Sequence, residues 1–144
     1  MLKSHTPEDF GKTLSLLWLF AILNMVFRDL HEFSMASTIN EILSGYVNGN
    51  PMSEGVLLAA AFAVELLLLA FLLPSLLAPG WARLLNLVLA PLAIAGTFYV
   101  PPADPDDYFF AFVAVCTYVA IFILAWRWQT ASQSEKHVGG GHAA

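Results

Sequence analysis

The stretch GVLLAAAFAVELLLLAFLLPSLL, residues Gly55–Leu77, decides the fold. An α-helix rises about 1.5 Å per residue, so this run is long enough to cross the roughly 30 Å hydrocarbon core of a bilayer. Its only charged residue, Glu65, then lies near the midplane, where insertion scales place a carboxylate at roughly +2.5 to +3.5 kcal/mol. The rest of the chain is therefore expected to supply Glu65 with a partner, a proton or a protein interior.

The composition is that of a membrane protein. Of the 144 residues, 58% are hydrophobic and 12% are charged, whereas ordinary soluble domains have about 45–50% and about 25%. The formal net charge of -5 leaves no basic surface for phosphates, so nucleic acid is excluded as a partner. The single cysteine, Cys116, lies inside an apolar run and is predicted to be a buried thiol, because it cannot form an intrachain disulfide.

Three further apolar stretches accompany the first one. The sequence therefore predicts an all-α protein, a four-helix transmembrane bundle whose membrane domain covers residues 13–128. A polar N-terminal lead precedes it at 1–12, and a glycine-rich, flexible C-terminal tail follows at 129–144. The predicted spans are about 13–33, 53–78, 81–100 and 108–128.

The first apolar stretch has an alternative interpretation, as the core of a secretory signal peptide with Ser34-Met35-Ala36 as the cleavage site. Asn24 and the charged segment RDLHEF, residues 28–33, lie between that core and the site, which disfavours this interpretation. We therefore expect a membrane span here. Beyond it the polar segment is predicted to form a short interfacial helix over about 38–46, and Ser53 is predicted to cap the second span.

The basic residues predict an orientation. Lys3, Lys12, Arg83, Arg127 and Lys136 all fall on one side of a four-span topology, while the opposite loops are acidic. Because basic residues are retained on the cytoplasmic side, both termini are expected in the cytoplasm. The chain is thus predicted to be a multi-pass protein of the plasma (inner) membrane, with the lipid bilayer as its first partner.

Polar residues of the first two spans are predicted to meet at mid-depth. Asn24, Arg28 and His31 are spaced i, i+4, i+7 and share one helix face, which should look inward, whereas Trp18 is expected to point elsewhere. Side chains lean toward the N-terminus of their helix, so Arg28 on the ascending span and Glu65 on the descending span lean toward each other. We predict an Arg28–Glu65 contact, direct or through one water, with Asn24 beside it.

The third and fourth spans offer compatible linings. Asn86 and Thr97 lie on one stripe of the third span. Tyr118 lies near mid-depth on the fourth, where its hydroxyl could donate to Glu65. For Asn24, Asn86 and Thr97, interhelical hydrogen bonding that holds the helices together is the favoured interpretation.

No motif indicates catalysis. The chain has no nucleophile elbow, HExxH, CxxC or phosphate-binding glycine loop. His31, Asp29 and Glu32 could suggest a metal, but their spacings on a helix do not converge on one point. We therefore predict a protein that is not an enzyme, with no catalytic residue, no metal and no cofactor.

Several short motifs stand out when they are taken in order along the chain. They are Leu-x-x-Leu-Trp at Leu14–Trp18, Asn24-Met25-x-Phe27-x-Asp29, the central Glu65, the aromatic start of the last helix, and its Trp126-x-Trp128 end. In this order they resemble, over about residues 13–128, an uncharacterised family of small bacterial four-helix integral membrane proteins, catalogued as a domain of unknown function. The resemblance implies the fold and a bacterial inner membrane, and it brings no activity.

Two functional hypotheses follow. The first is an intramembrane polar pocket around Glu65 that binds a small or lipophilic ligand or relays a proton. The second is an accessory or scaffold subunit, in a homo-oligomer or a larger membrane complex, whose polar residues only hold helices together; the Arg28–Glu65 pair suits both equally. The primary site candidates are Glu65, Arg28, Asn24 and Tyr118, and the secondary polar lining is Asn86, Thr97 and His31.

Overall fold

The computed structural model describes residues 7–47, 49–99, 102 and 104–139, with side chains from residue 9 to residue 128 of those ranges. Residues 1–6 of the predicted lead and 140–144 of the predicted tail lie outside the described residues. Apart from one minimal hairpin, the described fold is helical. Its elements are α1 (Pro7–Glu32), α2 (Ala36–Leu43), β1 (Tyr46–Val47), β2 (Asn50–Pro51), α3 (Glu54–Leu76), α4 (Pro79–Thr97) and α5 (Pro105–Gly139).

Four of these helices, α1, α3, α4 and α5, are long and apolar enough to cross a membrane, with mean hydropathies of 1.6, 2.8, 1.3 and 2.4 over an 18-residue stretch of each. The prediction of an all-α chain with four such helices is confirmed. Their bounds differ from the predicted ones at both ends of the chain. Helix α1 already begins at Pro7, a residue whose fixed φ suits the first helical turn, and α5 continues to Gly139.

The connection from α1 to α3 is built from local turn chemistry. The short helix expected over 38–46 is present as α2, and it leads into the hairpin of β1 and β2. Gly45 and Gly49 have φ of 83° and 73°, a region where a side chain would be strained. The prediction that Ser53 caps the second long helix is confirmed, because its hydroxyl accepts a hydrogen bond of 3.3 Å from the N–H of Val56.

Contacts at one end of the bundle establish the direction of the helices. The Phe10 ring near the start of α1 stacks on the Trp128 ring of α5 at 5.8 Å between centroids. The Nε of Arg83, near the start of α4, donates a 3.2 Å hydrogen bond to the Ala125 carbonyl. The starts of α1 and α4 therefore lie beside the same part of α5, and α3 and α5 run antiparallel to them.

The two ends of the bundle differ in charge. The end where α1 and α4 begin, called the basic end, carries Lys12, Arg83 and Arg127 with Asp9. The opposite end, called the acidic end, carries a single guanidinium, Arg28, within the described residues. The carboxylates of the acidic end are Asp29, Glu32, Glu41, Glu54, Asp104, Asp106 and Asp107.

Close approach of α1 and α3 depends on a glycine. A Cβ placed on Gly11 would lie 2.7 Å from the carbonyl oxygen of Pro74, too close for a carbon and a backbone oxygen. Pro74 and Ala70 are the buried residues of α3. Helix α3 thus packs on the bundle through its second half, whereas every residue from 54 to 66 is exposed.

The core combines a few large side chains with many alanines. Trp18, Leu14, Ile121 and Asn86 are its largest fully buried side chains. Many of the other buried positions hold alanine, which lets the helix backbones approach each other closely. Trp18, expected to point away from the polar face, is in fact a core residue. The prediction of a buried Cys116 is wrong, since this thiol is exposed.

Candidate functional site

Arg28 is the centre of an ion-pair cluster at the acidic end. Its Nε donates to Asp107 Oδ1 at 2.9 Å, and its Nη2 lies 3.1 Å from Glu32 Oε1, one helical turn further along α1. Asp107 is only 8% exposed, so its carboxylate depends on this partner for compensation of its charge. The cluster ties the end of α1 to the start of α5.

The predicted contact between Arg28 and Glu65 is wrong. Arg28 lies close to the end of α1, whereas Glu65 lies near the middle of α3, about 16 Å along the axis from the start of that helix. The Glu65 side chain is exposed, and within the described residues it makes no hydrogen bond or ion pair. Asp107 stands level with Arg28, so the guanidinium is neutralised at the acidic end of the bundle. The predicted hydrogen bond from Tyr118 to Glu65 is likewise not formed.

The rest of the predicted inward face of α1 contacts α5. Asn24 Nδ2 donates a 3.1 Å hydrogen bond to the Phe110 carbonyl. His31 Nε2 lies 3.1 Å from Asp106 Oδ2, although the His31 side chain is 52% exposed. These contacts extend the Arg28 cluster into a polar seam between α1 and α5.

A cavity of about 660 Å³ lies between α1, α3, α4 and α5 and reaches from this seam toward mid-depth. Of the predicted site residues, Asn24, Arg28, Thr97 and Tyr118 line it, together with apolar side chains of all four helices. The lining does not include the remaining predicted candidates. Those are Glu65, Asn86 and His31.

Three donor side chains of the cavity lining already make hydrogen bonds within the protein. Arg28 donates to Asp107 and Asn24 donates to a backbone carbonyl. The Thr97 hydroxyl donates to Ala93 of its own helix at 2.9 Å, so its predicted role as an interhelical link is wrong. The lining carboxylates of Asp29 and Glu32 can only accept hydrogen bonds when ionised. The mouth therefore offers carboxylate acceptors to a guest.

Tyr118 is the deep polar group of the cavity. Its side chain is only 5% exposed, and its ring lies 5.5 Å from the Trp18 ring at an interplanar angle of 45°. Within the described residues its hydroxyl has no hydrogen-bond partner, although it lines the cavity. A guest that reached this depth would find one hydroxyl in apolar surroundings.

Asn86 has the structural role that the sequence favours for it. Its Oδ1 accepts from Trp18 Nε1 at 2.7 Å, and its Nδ2 donates to the Ala82 carbonyl at 2.7 Å. The amide is fully buried with its oxygen and its nitrogen both hydrogen-bonded, so it links α1 to α4, and it does not line the cavity.

The sequence interpretation missed Asp29, Glu32 and Asp107 as parts of the site. Glu32 follows Arg28 by four residues on the same helix, a spacing that brings opposite charges together. Asp107 opens the last helix at the acidic end, which the short-looped topology places beside the end of α1. Both signals were present in the sequence. The sequence interpretation instead paired Arg28 with Glu65 on α3, because Glu65 lies at the midpoint of an apolar run.

Comparison with known proteins gives a family and no function. No curated protein and no solved structure matches the chain. A sequence profile does match it over residues 5–135, which includes all four long apolar helices as far as residue 128. Because this match covers nearly the whole chain, the protein belongs to the family of unknown function DUF6326.

Proposed function

We propose that this protein is a multi-pass membrane protein that binds a lipophilic or amphiphilic small molecule in the cavity between its four long helices. The single observation that carries the proposal is the cavity itself, whose volume of about 660 Å³ lies within the roughly 300–1,000 Å³ of small-molecule sites. An apolar chamber with a polar mouth suits a ligand that has an apolar body and one polar end.

The charge difference between the ends supports the membrane orientation. Lys12, Arg83 and Arg127 gather at the basic end, so that end faces the cytoplasm by the positive-inside rule. Both termini are then cytoplasmic and the cavity opens toward the outer half of a bacterial inner membrane. Residues 54–66 of α3 are exposed, and Ala63 and Leu66 among them line the cavity, which favours entry of a ligand from the lipid.

The proposal moves the site away from Glu65. That carboxylate lies outside the cavity, so it cannot serve as the proton-binding group of a relay through it. We therefore propose binding of a molecule rather than proton transfer or catalysis.

Quenching of Trp18 fluorescence tests the proposal. Trp81 and Trp126 are 69% and 61% exposed and would be quenched from the lipid, and Trp128 would add its own emission. The parent for this experiment therefore carries Trp81→Phe, Trp126→Phe and Trp128→Phe, which leaves Trp18 as its one tryptophan. The protein is reconstituted in phosphatidylcholine nanodiscs and titrated with a brominated long-chain alcohol. Because the Trp18 ring lies 5.5 Å from the ring of Tyr118 in the cavity wall, a bound bromoalkyl chain should quench it saturably.

A cavity-filling variant supplies the control. Gly96 lines the cavity and a Cβ there meets nothing within 4 Å, so Gly96→Leu fills space without a clash. Gly80 is equally open but lies outside the lining, so Gly80→Leu is the matched control. Saturable quenching that Gly96→Leu abolishes and Gly80→Leu preserves supports the proposal. Quenching that is linear in probe, or equal in both variants, contradicts it.

A second candidate function, an accessory subunit that assembles with a second copy through α3, is favoured by Glu65. This carboxylate is exposed on a helix apolar enough to span a membrane and has no partner within the described residues. Two copies meeting along α3 would place two such groups at the same depth, where a shared proton would leave one charge instead of two.

Cysteine crosslinking in native membranes tests this assembly. In a Cys116→Ser background, Ala61→Cys lies one turn from Glu65 and should crosslink between copies, whereas Ala63→Cys, on another face of α3, should not. The crosslink should weaken in Glu65→Leu. Failure of Ala61→Cys to crosslink, with the protein in the membrane fraction, excludes this interface.

A further inference from the structure

We propose that the ligand of the cavity is a cationic amphiphile, whose ammonium head lies against Asp29 and Glu32 at the mouth and whose alkyl chain extends along the apolar wall toward Tyr118. This inference rests on the proposed function and names its ligand class. It is carried by the charges, the hydrogen-bond donors and the depth of the cavity.

The mouth has more negative than positive charge. Arg28 forms one ion pair with Asp107 at 2.9 Å and a second with Glu32 at 3.1 Å. The Asp29 carboxylate lines the cavity and has no ion-pair partner within the described residues. Three carboxylates thus surround one guanidinium, and the surplus negative charge favours a cation at this point. His31, the other basic side chain nearby, is already directed at Asp106.

The donors of the lining disfavour an anionic head group. A phosphate or carboxylate would have to compete with Asp107 and Glu32 for the Arg28 guanidinium, and Asn24 and Thr97 each already donate a hydrogen bond within the protein. An ammonium group needs only acceptors, which the mouth provides. Tyr99 and Phe110 also line the cavity near its mouth, and aromatic faces attract cations.

The depth of the cavity suits a ligand with a long alkyl chain. Asp107 and Tyr118 lie on the same helix, about 16 Å apart along its axis. Between these levels the wall is formed by apolar residues such as Leu89, Ala93 and Ala114. Tyr118, at the deep end, is only 5% exposed. Its hydroxyl has no partner within the described residues and can anchor one polar atom of the chain.

The field of the whole acidic end acts in the same direction. Its seven carboxylates and one guanidinium lie on the side where the cavity opens, while the basic residues gather at the far end. Such an asymmetry raises the local concentration of cations and lowers that of anions, more strongly at low ionic strength.

Three brominated probes with one common alkyl chain test the inference in the Trp18 quenching assay: a trimethylammonium, an alcohol and a sulfate. Each is compared between the parent and the Asp29→Asn, Glu32→Gln double variant in zwitterionic nanodiscs, so that partition into lipid cancels. We expect the ammonium probe to bind the parent best and to bind the double variant roughly two- to ten-fold more weakly. The alcohol should be unaffected, and the sulfate should bind better to the double variant.

Glu54→Gln is the matched control, because it removes a carboxylate of the acidic end that lies outside the lining. It should leave the ammonium midpoint unchanged. The single variant Asp29→Asn, which breaks no ion pair within the described residues, keeps the test valid should the double variant fail to fold, and it should weaken ammonium binding roughly two- to five-fold.

The outcomes separate this inference from the proposed function. Equal midpoints for the ammonium probe in the parent and in both charge variants, with quenching still abolished by Gly96→Leu, overturn the cationic head group and leave ligand binding standing. If Glu54→Gln weakens ammonium binding as much as Asp29→Asn does, the inference is also overturned. The preference for a cation would then come from the overall charge of the acidic end and not from the carboxylates at the cavity mouth. Absence of Gly96-sensitive quenching with all three probes overturns both.

Discussion

The indole Nε1 of Trp18 donates a 2.7 Å hydrogen bond to the Oδ1 of Asn86, and both side chains are fully buried. The bond joins α1 to α4 below the cavity. Asn86 Nδ2 also donates to the Ala82 carbonyl, so the oxygen and the nitrogen of the amide both have a partner. This pair, rather than an ion pair at mid-depth, is the polar contact at the centre of the bundle.

Removing either partner should destabilise the bundle. Asn86→Leu leaves the Trp18 N–H buried without an acceptor, so the free energy of unfolding should fall by about 1–3 kcal/mol. A double-mutant cycle with Trp18→Phe should give a coupling energy of about 1 kcal/mol, measured by equilibrium unfolding in mixed detergent micelles. Thr117→Ala is the control, since the Thr117 hydroxyl bonds only to Val113 of its own helix. Additive effects of the two substitutions would contradict the prediction.

Loss of the Arg28 guanidinium should destabilise the acidic end. Arg28→Met leaves the nearly buried Asp107 carboxylate without its 2.9 Å partner, and we expect a loss of about 1–3 kcal/mol in unfolding free energy. Arg127 is an exposed arginine at the basic end, so Arg127→Met should change stability by less than about 0.5 kcal/mol. Thermal unfolding in detergent measures both. Equal shifts for the two variants would show that the Arg28 cluster contributes nothing specific.

Replacement of the mid-depth acid should leave the folded bundle intact. Glu65 is exposed and unpaired within the described residues, so Glu65→Gln should alter the unfolding free energy of the detergent-solubilised monomer by less than about 0.5 kcal/mol. It should also leave Trp18 quenching unchanged, because Glu65 does not line the cavity. A destabilisation as large as that of Arg28→Met would restore a direct role for Glu65 within the bundle.

The glycine at the closest approach of α1 and α3 should tolerate no side chain. A Cβ at Gly11 would lie 2.7 Å from a backbone oxygen, so the two helices must separate, and Gly11→Ala should lower stability by about 1–3 kcal/mol. Gly80→Ala, where a Cβ meets nothing within 4 Å, should be neutral or slightly stabilising. Unfolding of both variants in detergent decides the matter, and equal stability of the two would refute the close approach.

Much of the fold could be predicted from composition and local signals. Long apolar stretches specify four helices, because a helix satisfies its own backbone hydrogen bonds wherever it is placed. Ser53 marks the start of α3 through a bond to Val56, three residues away. The segregation of basic and acidic residues to opposite ends also follows from the order of helices along the chain. Each of these features depends on neighbouring residues alone.

The site could be predicted only in part. Asn24, Arg28, Thr97 and Tyr118 do line one cavity, but the acid expected at its centre lies outside it. Helical periodicity shows on which face of its own helix a residue lies. It does not show which faces of different helices pack against each other. Trp18 illustrates this limit, since it is fully buried although its face was expected to point elsewhere.

By itself the sequence determined the number, length and apolar character of the long helices, because these depend on backbone hydrogen bonding and local composition. Only the tertiary structure decided that Arg28 pairs with Asp107 and that Glu65 remains outside. The reason is physical: the partner of a charge is set by which groups lie within about 3 to 4 Å of it, and that distance depends on which part of α3 packs against the other helices. Helix α3 approaches α1 closely at Pro74, opposite Gly11, whereas its residues 54–66 are exposed.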